Sequence, residues 1–474
     1  MHDELAYMPA VEMVAEIRAR RLSPVELTRA LLERIDAVNP AINAYVLVTA
    51  ERAMAAAEEA EAAAARGDDL RALHGVPISI KDLFDVEGLP TTKGSLLYRD
   101  RIAAGYEYCA KRLLDAGGIM LGKTNTPEFG FIPTTENELF GATTNPWDTA
   151  RTSGGSSGGA ASSVAAGIGP IALSSDGGGS IRIPASFCGV FGIKPTYGRV
   201  PRNPGGWSTF THRGPTTRTV GDAALAMDVM CGYEPADPYS VRDYPGSFLD
   251  EVDLGIDGLR VGWSPDLGYA LVEPEVRAIC EAAAKRFADL GCGVEEATPG
   301  FANPNADLTF FTLAATSDAV WLGELSEAEL ALVGAPAKQF LEFGRQTAGV
   351  QYVQANARRM QLWETMQRYH ETYDLLLTPT LSVTAFPVGE PPKGVGDADF
   401  PPFGWSPFTA PFNLTGQPAA SVPCGFDAKG LPVGLHIVGR AYEDSLVLRA
   451  ARAFEQLQPW AQHRPPLAAG AVAT

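Results

Sequence analysis

SSDGGGSIRIPASFCGVFGIKPT, residues 174–196, holds three consecutive glycines, Gly177, Gly178 and Gly179, followed directly by Ser180. Glycine in an ordered segment costs conformational entropy, so a run of three needs a reason. Backbone N–H groups with no side chain in front of them can be aimed at an oxygen that becomes an anion. A serine at the end of such a nest is placed to attack the carbonyl that carries this oxygen. A flexible turn or a tight sheet corner would use the same residues. A second cluster, SGGSSGG at residues 153–159, sets Ser156 and Ser157 between glycine pairs, 24 residues before Ser180.

Three other chemistries compete for these glycines. A phosphate loop needs Gly-Lys-Ser/Thr, and no lysine follows. GIGPIA at 167–172 matches a dinucleotide fingerprint only loosely, without an acid about 20 residues further on. Gly154-Gly155-Ser156-Ser157-Gly158 fits a G-x-S-x-G elbow. That would make Ser156 the nucleophile of a Ser–His–acid esterase, with His370 or His436 as its base.

Composition bounds the choice. The chain has 474 residues, 46% hydrophobic and 20% charged, as in ordinary globular proteins. Lysine and arginine number 38 and aspartate and glutamate 56, a net charge of −18. This argues against nucleic acid or an anionic membrane as the main partner. The six cysteines form no CxxC pair and the six histidines no HExxH, so the cysteines read as buried thiols and no metal or cofactor is expected. The start, MHDELAYMPA, lacks the apolar core of a signal peptide. The uncharged stretch 152–175 is too rich in Gly and Ser, and broken by Pro170, to span a membrane. A cytoplasmic protein is expected.

The N-terminal part, about 1–66, reads as helical. Leu27, Leu31 and Ile35 follow a Ser23 cap and Pro24, and TAERAMAAAEEAEAAAARG forms a second helix that stops at Gly67. In LHGVPISIKDLFDVEG the period changes: Val76, Ile78 and Ile80 alternate as in a strand, with Lys81 and Asp82 straight after it. Strand neighbours point to opposite faces, so Asp82 need not pair with Lys81. LRVGWSPD and the residues after it read strand–helix–strand, about 300–372 reads as mostly helical, and YDLLLTPT as a buried strand. Alternating strands and helices place the chain in the α/β class. The 382–412 segment carries Phe386, Phe400, Phe403, Trp405 and Phe408 among prolines and glycines. A loop that long is commonly functional, and its rings could wall an apolar pocket.

The stretch GGSSGGAASSVAAGIGPIALSSDGGGSIRIPASFCGVFGIKPTYGRVP resembles the signature of the amidase-signature family. HGVPISIKDLFDVEG, GKTNTPEFG, NPWDTARTSGGSSGG, YDLLLTPT and PFNLTGQPAASVPCGFDAKGLPVGLHIVGR resemble that family in the same order, over essentially the whole chain. The resemblance implies a single α/β domain over residues 1–474, with a central mixed, mostly parallel sheet surrounded by helices. It implies a Ser–cis-Ser–Lys triad: Ser180 as nucleophile, Ser156 as bridging serine after a cis peptide, Lys81 as base. Backbone N–H groups of Gly177, Gly178, Gly179 and Ser180 would form the oxyanion hole. Asp176 and Arg182 are expected to brace the turn, and Phe131, Phe403 and Trp405 to line the substrate pocket. Two departures stand out: the residues before Asp176 are Ser174 and Ser175 instead of the usual Gly-x, and Gly177 replaces a commonly bulkier residue.

The residue chemistry agrees. A lysine near pKa 10 is no base at neutral pH, but burial away from carboxylates lowers that value. Neutral Lys81 could then take a proton from Ser156 as Ser156 takes one from Ser180. The implied activity is hydrolysis of C–N acyl bonds in a small-molecule amide, carbamate or ester through a seryl acyl-enzyme, without metal or cofactor. The aromatic loop and the small Gly177 favour aryl amides or carbamates, as in an aryl acylamidase or urethanase. The amidase-like subunit of a tRNA-dependent amidotransferase is the alternative from another class, and a homodimer is compatible with the sequence.

Overall fold

The structure, a computed structural model, describes residues 2–203, 208–242, 246–301 and 306–467. An 11-stranded sheet is built from β1 (Tyr45–Val48), β2 (Pro77–Lys81), β3 (Ile119–Thr124), β4 (Ile171–Asp176), β5 (Phe191–Lys194), β6 (His212–Thr217), β7 (Arg260–Trp263), β8 (Gly293–Glu296), β9 (Leu375–Pro379), β10 (Ala419–Phe426) and β11 (Pro432–Gly439). Its spatial order is β1-β3-β2-β4-β6-β5-β10-β11-β9-β7-β8. The sheet is mixed, as expected, but its parallel pairing is confined to two wings, β3-β2-β4 and β9-β7-β8. The centre from β4 to β9 and the β1 edge are antiparallel. Short hairpin connections such as the one from β10 to β11 reverse the chain, whereas parallel neighbours need a crossover.

Helices cover both faces. That is why every residue of β2 and of β9 is buried, with no solvent-facing half. Lys81 is therefore the last residue of a fully buried strand and not the first of a loop. The N-terminal helices form where the sequence places them. Ser23 Oγ accepts the Glu26 N–H at 3.1 Å to cap Pro24–Ile42, and Ala50–Arg66 ends at Gly67 with φ +79°. Between them lies a strand inside the segment expected to be helical. Asn43 takes a left-handed turn at φ +48°, and Tyr45–Val48, a β-favouring YVLV run, pairs with the open edge of β3.

The helices include α1 (Gly158–Ala165), α2 (Arg182–Cys188), α3 (Ala306–Leu322), α4 (Ala335–Gln346) and α5 (Gly349–His370). The last three are the expected helical middle, whose residues 302–305 lie outside the described residues. All six cysteines are buried thiols. No helix among the described residues is long and apolar enough to cross a membrane.

Helix α1 starts just after Ser156 and Ser157, and its first turn presses on the backbone that follows β3. A Cβ at Gly159 would overlap the Asn125 amide nitrogen and lie 2.7 Å from the Ala44 carbonyl oxygen. Gly159→Ala is expected to lower the unfolding free energy by about 1–3 kcal/mol through forced backbone displacement. The measurement is a urea titration, in which the midpoint should fall at unchanged slope.

Candidate active site

Lys81 is fully buried at the end of β2. Its Nζ lies 2.7 Å from Ser156 Oγ, 2.9 Å from Ser157 Oγ and 3.1 Å from Ser175 Oγ. Burial pulls its ammonium well below the ordinary lysine range, against a smaller opposing pull from Asp176. Asp82 points to the other face, as strand alternation requires. There it lies 3.3 Å from Lys123 Nζ and accepts the Thr92 N–H at 3.1 Å. Lys123 also donates to the Phe84 carbonyl at 2.6 Å. This second buried lysine is not evident from sequence patterning, although GKT on a strand carried the signal.

Ser156 follows a cis Gly155–Ser156 peptide. Gly155 has no room for a side chain, since a Cβ there would lie 2.5 Å from the Thr134 backbone. The two serine clusters are laced together. Ser157 N–H donates to the Ser180 carbonyl at 3.1 Å, and Ser157 Oγ donates to the Ser175 carbonyl at 3.1 Å. Exposure rises from 0% at Lys81 to 2% at Ser156 and 9% at Ser180. Burial thus deepens from Ser180 through Ser156 to Lys81.

Asp176 organises the turn that carries Ser180. Its Oδ1 accepts Gly179 N–H at 2.7 Å, Arg182 Nη2 at 2.9 Å and Asn413 Nδ2 at 2.8 Å. Its Oδ2 accepts Arg182 Nε at 2.9 Å and Ile181 N–H at 3.2 Å. Burial alone would raise this carboxyl, but the Arg182 guanidinium and these donors hold it well below the usual carboxylate range. Asp176 and Arg182 are bonded to each other beside this turn, with Asn413 and Thr409, whose carbonyl accepts Arg182 Nη1 at 3.1 Å, as partners the sequence did not reveal. One expected oxyanion donor is corrected. The Gly179 N–H is engaged by Asp176, which leaves the amides of Gly177, Gly178 and Ser180.

Neither histidine offered as an esterase base bonds to Ser156. His436 Nε2 lies 3.1 Å from Arg182 Nη1, and burial with that guanidinium holds the ring well below the ordinary histidine range. His370 sits between the Tyr373 carbonyl, 2.9 Å from Nδ1, and Gln417 Nε2, 2.8 Å from Nε2. The elbow pattern at Ser156 is therefore formal only.

The two pocket residues expected from the 382–412 segment, Trp405 and Phe403, lie in different settings. Trp405 is 3% exposed and packs its ring on Phe187, with centroids 5.7 Å apart at 19°, and edge-on to Phe386 at 5.0 Å. Phe403 is 45% exposed in a turn with φ +59°. The 382–412 segment reaches the nucleophile turn through a different residue, Thr409, whose Oγ1 donates to the Gly178 carbonyl at 2.6 Å. Phe131 joins an aromatic cluster: it stacks on Phe340 at 4.7 Å and 3°, with Phe129 at 5.5 Å and Trp321 at 6.4 Å. Gly130, between Phe129 and Phe131, has φ +77°, and a Cβ there would lie 3.1 Å from Ser156 Oγ. From α3, Phe310 covers Gly178, whose Cβ would lie 2.8 Å from its ring. Phe310, Trp321 and Phe340 come from the helical middle and pack with Phe129 and Phe131 in one apolar cluster, which no local motif marks in the sequence.

The sequence pattern of the family described as Amidase matches residues 26–448. The chain is 41% identical over 471 residues to an acylamidase of Rhodococcus erythropolis, covering 97% of this chain and 98% of that one. It is 37% identical over 501 residues to a glutamyl-tRNA(Gln) amidotransferase subunit of Moorella thermoacetica, covering 98% and 99%. The crystal structure of a bacterial aryl acylamidase of the amidase signature enzymes superposes with a TM-score of 0.92 at 31% identity, covering 98% and 99%.

Because Trp405 is buried against the rings of Phe187 and Phe386, Trp405→Ala is expected to lower stability by about 3–5 kcal/mol. Its order of preference among aliphatic amides, anilides and aryl carbamates should stay that of the wild type. Melting temperature and substrate ranking, measured on one preparation, check both halves.

Proposed function

Since the chain belongs to the amidase family and is a hydrolase of amide bonds, we propose that Ser180 is its nucleophile, Ser156 its proton relay and Lys81 its base, and that aryl amides and aryl carbamates are its substrates. One observation carries the assignment: a fully buried amine 2.7 Å from the Ser156 hydroxyl, in a cradle of uncharged serines. As the Ser180 oxygen bonds to the substrate carbonyl carbon, its proton passes to Ser156 and the Ser156 proton to Lys81. The carbonyl electron pair moves onto oxygen, which the amides of Gly177, Gly178 and Ser180 receive. Collapse breaks the C–N bond, and the leaving amine takes the proton back along the same path. Water then repeats the sequence on the acyl-enzyme and releases the acid and free Ser180.

The aryl preference is supported by the cluster of Phe129, Phe131, Trp321 and Phe340, which begins beside Ser156. It is also supported by the acylamidase and aryl acylamidase relatives. The higher identity to the acylamidase, 41% against 37%, favours a self-sufficient enzyme over a component of an amidotransferase complex. Hydrolysis of a simple anilide by the purified chain alone decides between them. Two further parts of the proposal are one domain over residues 1–474 and a cytoplasmic location. The sheet, which draws strands from residue 45 to residue 439, supports the first.

A fluorophosphonate is expected to label Ser180 and to leave Ser180→Ala unlabelled; labelling of Ser156 with Ser180 untouched would overturn the assignment. Lys81 acts as the neutral amine, the form present above its depressed pKa. Anilide hydrolysis should therefore fall as pH drops through that value, and a pH–rate profile reads this limb. Lys81→Ala should lose about 10²–10⁴ in kcat/KM on anilides. It should lose less on p-nitrophenyl esters, whose leaving group needs no proton. Anilide turnover at the wild-type rate in Lys81→Ala would remove Lys81 from the mechanism.

A further inference from the structure

The six buried thiols are spread over the whole chain, and two of them meet. Cys280 Sγ lies 3.9 Å from Cys424 Sγ, although 144 residues separate the two in sequence. Cys280 belongs to the helix Pro274–Lys285, which turns Val276, Cys280, Ala283 and Ala284 inward. Its Sγ donates to the carbonyl of Gly434 on β11 at 3.6 Å, so the helix lies directly over the sheet here. Cys424 belongs to β10. Among the described residues no other two cysteines lie within hydrogen-bond distance of each other. Cys188 Sγ donates instead to the Ser153 carbonyl at 3.5 Å, and Cys292 Sγ to the Ile256 carbonyl at 3.3 Å.

The backbone around the pair comes close and is locally free of the ladder. At Gly425 a Cβ would lie 2.7 Å from Ile279 Cγ2, so helix and strand approach more closely here than a side chain would allow. The pairing of β10 with β11 shifts at the same place: Pro423 faces Gly434, and Gly425 faces Val433. Cys424 is the extra residue of this bulge, and no partner residue fixes it in register. A disulfide holds its sulfurs about 2.05 Å apart, so each sulfur has to move by roughly 1 Å, within reach of rotation about the two Cα–Cβ bonds. The two thiols differ in access. Cys280 is fully buried, and burial pushes its thiol well above the ordinary range, which makes it a poor first target. Cys424 is buried too, but Gly425 and Phe426 beside it are only half-buried at the end of the strand. A small uncharged oxidant has its shortest way in from there.

We infer that Cys280 and Cys424 are an oxidisable pair that a peroxide closes into a disulfide, stapling the helix Pro274–Lys285 to the central sheet. Hydrogen peroxide first transfers one oxygen to the Cys424 sulfur, giving a sulfenic acid and one water. The Cys280 sulfur then attacks the Cys424 sulfur; the S–S bond forms, the S–O bond breaks, and the hydroxide leaves with the Cys280 proton as a second water. The two thiols give up two electrons and two protons, and the peroxide is reduced to two waters. The bridge joins residues 144 apart, which restricts the unfolded chain and stabilises the fold. Neither cysteine is bonded to Lys81, Ser156 or Ser180, so the inference stands apart from their proposed roles. The test treats the folded wild type with hydrogen peroxide, removes the excess with catalase, blocks free thiols with N-ethylmaleimide in denaturant and maps the unreduced peptides by mass. Free thiols should fall from six to four, with one cross-linked peptide pair joining Cys280 to Cys424. The melting temperature should rise by about 3 °C or more, and dithiothreitol should reverse both changes. Cys424→Ala should gain neither a link nor stability from the same treatment; if it does not fold, the wild-type peptide map and melting curve decide. Six thiols persisting in the treated wild type, a link to any other cysteine, a sulfinic acid at Cys424 in place of the link, a linked protein that melts no higher, or a peroxide-dependent gain in Cys424→Ala each overturns the inference.

Discussion

A primary amine buried completely at the end of an interior strand is the constraint on which the rest of the site depends. An ammonium ion removed from water is costly unless paired, so such a group discards its proton or finds a counter-ion. The surroundings of Lys81 offer the first course. Ser156, Ser157 and Ser175 satisfy its hydrogen bonds without bringing a negative charge. The carboxylate next to it in sequence would reverse this, and the strand prevents it. Asp82 is turned to the opposite face, and Lys123 occupies it there. Two adjacent residues of opposite charge thus live in separate electrostatic environments because a β-strand alternates.

The nucleophile side is held by the other kind of buried charge. Asp176 and Arg182 are both fully buried and make a two-pronged contact, with Gly179, Ile181 and Asn413 completing the carboxylate shell. A buried pair of this kind is not by itself a source of stability, but removing either member leaves an uncompensated charge. It fixes the path of the backbone across Gly177, Gly178 and Gly179. Lys194, whose Nζ contacts the Gln417 carbonyl, and His436 and His212 extend the same polar interior. Such a network, once satisfied, holds one geometry and resists others.

The two walls of the site have different origins. The wall that carries the proposed triad is built from strand ends and the two short helices α1 and α2, whose residues are all buried. The wall across from it comes from α3 and α4, with Phe310 against Gly178 and Phe340 against Phe131. Rigid sheet elements set the chemistry, and helices packed from a distant part of the chain shape what can approach it. The proline-rich segment 382–412, in contrast, ties its rings Phe386 and Trp405 to Phe187 on the back of α2.

What the sequence determined by itself was whatever is encoded locally. Ser23 and Pro24 mark a helix start by capping chemistry and Gly67 a helix end by its left-handed backbone. The two glycine–serine clusters and the lysine closing PISIK carry the proposed triad, because each needs its residue types at fixed short spacing. Resemblance to a family added the pairing of these clusters, which composition and periodicity could not supply. Only the tertiary structure decided which groups meet across long separations: Lys123 with Asp82, Asn413 with Asp176, Phe310 with Gly178, Thr211 with Gly177. It also turned Trp405 from a wall of the pocket into packing, and made Tyr45–Val48 a strand. An aromatic ring is equally apolar in a pocket and in a core, and a four-residue run becomes a strand only where another strand leaves its edge open. Both outcomes depend on which surface arrives opposite, and that is settled by packing rather than by local sequence.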